Sequence, residues 1–88
     1  MLSNQDILDI VWREVGVSGV DQVTPNLAKL AEEYHEEQIR LSRVTMRLGR
    51  RRIDDWADDS VGTQYFLRLA READANLAHL AEEIKQTV

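Results

Sequence analysis

Two acidic clusters of the same form stand in this chain, Glu32-Glu33-x-x-Glu36-Glu37 and Asp54-Asp55-x-x-Asp58-Asp59. Carboxylates at i and i+4 share one face of a helix. Two such faces brought together would offer the hard oxygen ligands that Mg²⁺ takes. Between the clusters lie Arg40, Arg43, Arg47, Arg50 and Arg51, with Arg52 next in line. The first four form one guanidinium stripe at i, i+3 and i+4 spacing, and Arg51 borders it. Guanidinium donates in pairs to phosphate or carboxylate, so the stripe suits a nucleic-acid backbone or the acids of another chain. The plainer reading of both charge types is a solvated helix face, with Glu36 and Arg40 paired at i, i+4. His35 and His79 have no companions at ligand spacing and no nucleophile beside them in a triad-like arrangement, so they read as surface or boundary residues. Trp12 and Trp56 are core rings or interface anchors, and Trp56 has acids on both sides.

The first acidic cluster resembles the EExxE element of the all-α nucleoside triphosphate pyrophosphatases of the MazG type, with Asp55-x-x-Asp58 in the place of their second acidic motif. The resemblance implies Mg²⁺ held by Glu32, Glu33, Glu36 and Asp58, with nearby Arg meeting phosphate. The second motif carries Asp where that family has Glu. Read residue by residue, the chain offers no catalytic, cofactor-binding or metal-binding position, and the pyrophosphatase stands as an alternative to a non-enzymatic protein.

The elements that must position these groups follow from composition and spacing. In 88 residues there is room for one small domain. The chain is 43% apolar and 31% charged, with one Pro and four Gly, which is a foldable composition. With no Cys it has neither disulfides nor thiolate metal sites; helix packing or oligomerisation must supply that stability. No apolar run approaches a bilayer span, and the N-terminus lacks the basic start of a signal peptide. The expectation is therefore no membrane partner and a cytoplasmic location. The net charge of −5 is uneven: residues 40–52 hold six Arg and no acid, which leaves five basic against 16 acidic groups elsewhere.

The predicted fold is all-α, a single domain over 1–88. A short helix over about 4–15 starts at a Ser3/Asp6 capping box and stops at Gly16. After a loop over 16–24, Thr24-Pro25 starts a long helix over about 25–57, with Gly49 as a point where it could bend or end. Turn residues near 60 lead to a last helix over about 63–86, whose Phe66, Ala70, Ala73, Leu77, Leu80 and Ile84 repeat at 4,3 spacing as a coiled-coil seam. Asn26–Glu33 and Asn76–Glu83 match at seven of eight positions, which reads as shared amphipathic vocabulary.

On the long helix, Leu27, Leu30, Tyr34, Leu41, Val44 and Leu48 share the face that meets this seam, giving an antiparallel hairpin with Leu41 level with Leu80 and the short helix packed across it. Ile39, Met46 and Ile53 lie on the opposite side, where either the short helix or a second chain must cover them. The acids precede the arginines along the helix, so two antiparallel copies would be electrostatically self-complementary. The expected function is a helical protein-protein interaction protein, a small regulator, inhibitor or assembly factor, forming a homodimer and binding a further protein target. Its expected contact residues are Arg40, Arg43, Arg47, Arg50, Arg51, Ile39, Met46, Ile53 and Trp56. Nucleic-acid binding through the Arg40–Arg52 ridge is the alternative partner class, and no cofactor is expected.

Overall fold

The chain begins its first helix where Ser3 can close both ends of a capping box. Ser3 Oγ accepts from the Asp6 amide at 3.1 Å, and the Asp6 carboxylate accepts from the Ser3 amide at 3.2 Å. In the computed structural model, which describes residues 2–49 and 61–88, helix α1 runs over Asn4–Asp9 and passes directly into a π-helical segment, Ile10–Val15. The π winding departs from the regular helix the sequence suggests, and burial supplies its reason. Ile10 and Val15 are both buried, yet positions five apart diverge by about 140° at 3.6 residues per turn. Bonding from i to i+5 stacks them on one face. Gly16 ends the segment at φ 83, a left-handed conformation that glycine adopts without a Cβ penalty. The Gly16 and Val17 amides both donate to the Val11 carbonyl.

Helix α2, Pro25–Gly49, starts where Thr24 Oγ1 accepts from the Leu27 amide at 3.2 Å. Proline loses nothing at that first position, because its missing N–H would have had no partner in the helix. Helix α3 spans Val61–Thr87. The two long helices form the hairpin that the apolar spacing predicts, within a rod of 49 × 20 × 20 Å. Its interface buries Leu27, Tyr34 and Val44 of α2 and Ala73, Leu80 and Ile84 of α3, with Leu30, Leu41, Phe66, Ala70 and Leu77 half-buried. Ala31 is fully buried as well, beside the predicted face.

The short helix packs at one end of the hairpin. Ile7, Ile10, Val11 and Val15 share one core cluster with Leu27, Ala31, Tyr34, Leu80 and Ile84. The hairpin sets Leu80 beside Glu33, Glu36 and Glu37, about one to two turns away from the Leu41 level expected from the loop position. Val17, Val20 and Val23 of the connecting loop close the same cluster. The matching Asn26–Glu33 and Asn76–Glu83 segments overlap only in part: Asn26, Lys29 and Glu33 lie against Glu83, Gln86 and Thr87, and Asn76 lies against Glu33, Glu36 and Glu37. Residues 50–60 lie outside the described residues, and with them the continuation of α2 beyond Gly49.

Candidate functional site

Because the N-terminal helix packs at the end of the hairpin formed by the start of α2 and the close of α3, it does not reach the outer side of α2. Ile39 is 39% exposed and Met46 55% exposed. The short helix covers neither of these two residues; Ile53, the third of that set, lies outside the described residues. Trp12, on the π-helical segment, is 59% exposed, so it is not a core ring; the Arg13 guanidinium carbon lies 5.8 Å from its ring centre.

Between the second half of α2 and the start of α3 runs a groove of about 550 Å³, lined by Ile39, Arg40, Arg43, Val44, Tyr65, Phe66 and Leu69, with Glu36 at its margin. Its apolar part is built by both helices. Tyr65 and Phe66 meet edge to face with ring centres 5.6 Å apart, and Tyr65 leaves 55% of its surface in solvent. Arg40 and Arg43 are exposed on its polar side. The structure thus gathers three of the predicted contact residues, Ile39, Arg40 and Arg43, and adds Tyr65 and Leu69. The signal for these two was present in the sequence as an i, i+4 apolar pair on α3, offset from the seam by one residue at each position. Of Arg47 only the backbone is described. Arg50, Arg51, Ile53 and Trp56 lie outside the described residues, as does the Asp54–Asp59 cluster.

The electrostatics differ in one detail from the expected Glu36–Arg40 pair. Arg40 Nη1 lies 3.7 Å from Glu37 Oε1, an i, i+3 contact. The other Glu37 oxygen is enclosed without a hydrogen-bond partner among the described residues, because Glu37 faces Asn76 and Leu80 across the hairpin. Such an oxygen costs about 1–3 kcal/mol, while an ion pair whose Arg40 end is exposed to solvent returns roughly 0–1 kcal/mol. Neither Glu36 nor Arg43 has an ion-pair partner among the described residues. His79 Nε2 contacts Glu83 Oε1 at 3.0 Å on the exposed face of α3, while His35 is half-buried.

The pyrophosphatase-like arrangement would need acids from two elements converging on one point. Among the described residues no group of three or more His, Asp or Glu side chains is placed to hold a metal ion, and Asp58 is outside them. Among the described residues the one clear proton-affinity change is at Tyr34, whose phenol is pushed above its ordinary value of 10.0, first by burial and then by the nearby Glu14 carboxylate. Tyr34 belongs to the core cluster. Among the described residues no helix is long and apolar enough to cross a membrane. No family model, no curated protein and no solved structure matches this chain.

Proposed function

We propose that this chain is a non-enzymatic helical interaction protein that binds other protein chains, a second copy of itself first, through the groove between α2 and α3. The observation that carries the reading is the groove: an aromatic and aliphatic floor from Ile39, Val44, Tyr65, Phe66 and Leu69, bordered by Arg40 and Arg43. Aromatic residues and Arg are enriched where protein interfaces bury their anchors. Together with the exposed Ile39 and Met46, the groove leaves an apolar surface that a helix could cover. A role as regulator, inhibitor or assembly factor would use this surface in the same way. The test is the mass of the free protein at micromolar concentration by light scattering. A dimer mass, reduced to that of a monomer by Ile39→Glu with Met46→Glu and with unchanged helicity, is expected. A monomer mass for the unaltered chain would overturn self-association.

A second reading, nucleic-acid binding, is favoured by one feature, the Tyr65 ring beside Arg43 in the same groove. An aromatic face next to guanidinium groups can stack a base while the charge tracks the backbone. Glu33, Glu36 and Glu37 on the adjoining surface oppose it. Retention on a labelled single strand at low salt, lost in Arg40→Ala with Arg43→Ala, is the result this second reading requires.

A further inference from the structure

Along the outer side of α2, Glu32, Glu36, Ile39, Arg43 and Met46 follow one another at spacings of four, three, four and three. That is the repeat by which one helix presents a straight seam to another. The seam lies opposite the buried face of Leu27, Tyr34 and Val44, and its members Glu36, Ile39 and Arg43 also border the groove that α2 shares with Tyr65, Phe66 and Leu69 of α3. Four of its five members are exposed, and Glu32 is half-buried. Its first two members are acids and its fourth is Arg. Arg40, just beside the seam, already has Glu37 as a partner within its own chain, whereas the seam charges Glu32, Glu36 and Arg43 have no ion-pair partner among the described residues.

Resting on the reading that the chain self-associates, we propose that two copies dock antiparallel through this seam, about a twofold axis close to Ile39, so that Glu36 of each copy meets Arg43 of the other. A parallel pair would set Arg43 on Arg43 and Glu36 on Glu36, four like charges in two contacts. The antiparallel pair turns both contacts into opposite-charge ones, and twofold symmetry makes each occur twice. The spacing fits. Glu36 and Arg43 are two turns apart, about 10.5 Å at 1.5 Å per residue, and their midpoint falls between Ile39 and Arg40. Ile39 therefore packs on its own copy at the centre.

The same register carries Met46 of each chain to the level of Glu32 and Glu33 of the other. There Leu2, Glu32, His35 and Glu36 line a hollow of about 640 Å³. Leu2, reaching over from the residues before α1, gives the Met46 side chain an apolar contact, and the methylene stems of the glutamates extend it. The two N-terminal helices stay at opposite ends of the resulting four-helix body, each over its own core cluster.

Charge exchange tests the register directly. In Glu36→Arg both trans contacts become Arg against Arg, and in Arg43→Glu both become Glu against Glu. Each single variant should dimerise about a hundredfold more weakly, given several kcal/mol for like charges set together. An equimolar mixture of the two should recover a dimer of one chain of each kind, because every contact is then Arg against Glu. Both residues are exposed, so helicity by circular dichroism should match that of the unaltered chain. Sedimentation velocity at micromolar concentration reads all four samples. Single variants that still dimerise like the unaltered chain, or a mixture that stays monomeric, would overturn the antiparallel register while leaving self-association intact. A monomeric unaltered chain would overturn both.

Discussion

Ile84 is fully enclosed and belongs to the cluster where the N-terminal helix meets both long helices. Ile84→Ala removes three carbons, worth about 2.4 kcal/mol at roughly 0.8 kcal/mol per methylene. The space left behind adds to this, because three converging helices relax only in part, and a total of about 3–5 kcal/mol is expected for such a site. A domain of 88 residues has about 4–13 kcal/mol of net stability at 0.05–0.15 kcal/mol per residue. The substitution therefore removes a large share of it, and the melting temperature should fall by roughly 12 °C or more. Urea denaturation followed by far-ultraviolet circular dichroism measures the loss, at a concentration low enough to keep the chain monomeric. Met46→Ala, on the exposed seam, serves as the comparison and should change monomer stability by less than about 0.5 kcal/mol. A loss below about 1 kcal/mol for Ile84→Ala, or an equal loss for both variants, would refute the packing of the N-terminal helix over Leu80 and Ile84.

Ser3→Ala removes the capping-box acceptor and should lower stability by about 1 kcal/mol, measured as a shifted urea midpoint with an unchanged slope. Gly16→Ala meets nothing within 4 Å of its new Cβ, so any cost is that of the left-handed backbone, about 1–2 kcal/mol; a neutral result would contradict the observed φ. Tyr34 is neutral when protonated and its folded value is raised, so its contribution is complete below the ordinary phenol value and is lost as pH rises through the folded one. Thermal stability should accordingly fall on the alkaline side of pH 10.0, and Tyr34→Phe should flatten that fall.

Much of the fold was legible because local rules and the final packing agree. The Ser3 and Thr24 caps, the Gly16 stop and the 4,3 seam of α3 each depend on residues within a few positions of one another, and each is where the spacing put it. The candidate site was legible in part. Ile39, Arg40 and Arg43 stood out by type and spacing, whereas Tyr65 and Leu69 became members of the groove only when α3 was laid beside α2 at a definite level. The Glu37 choice over Glu36 as the partner of Arg40 also escaped the sequence, since i, i+3 and i, i+4 pairs on an exposed helix differ by a few tenths of a kcal/mol.

By itself the sequence determined the helical class, the element order, the inward faces of α2 and α3, and the separation of acids from arginines along α2, because periodicity and charge order are properties of the chain whatever it packs against. Only the tertiary structure decided the level at which the hairpin pairs, the π winding of Ile10–Val15 and which outer residues remain uncovered. All three depend on contacts between elements distant in sequence, among them the packing of the N-terminal helix with Leu27, Ala31, Leu80 and Ile84. That contact joins residues separated by most of the chain's length, and no local pattern can specify where it falls.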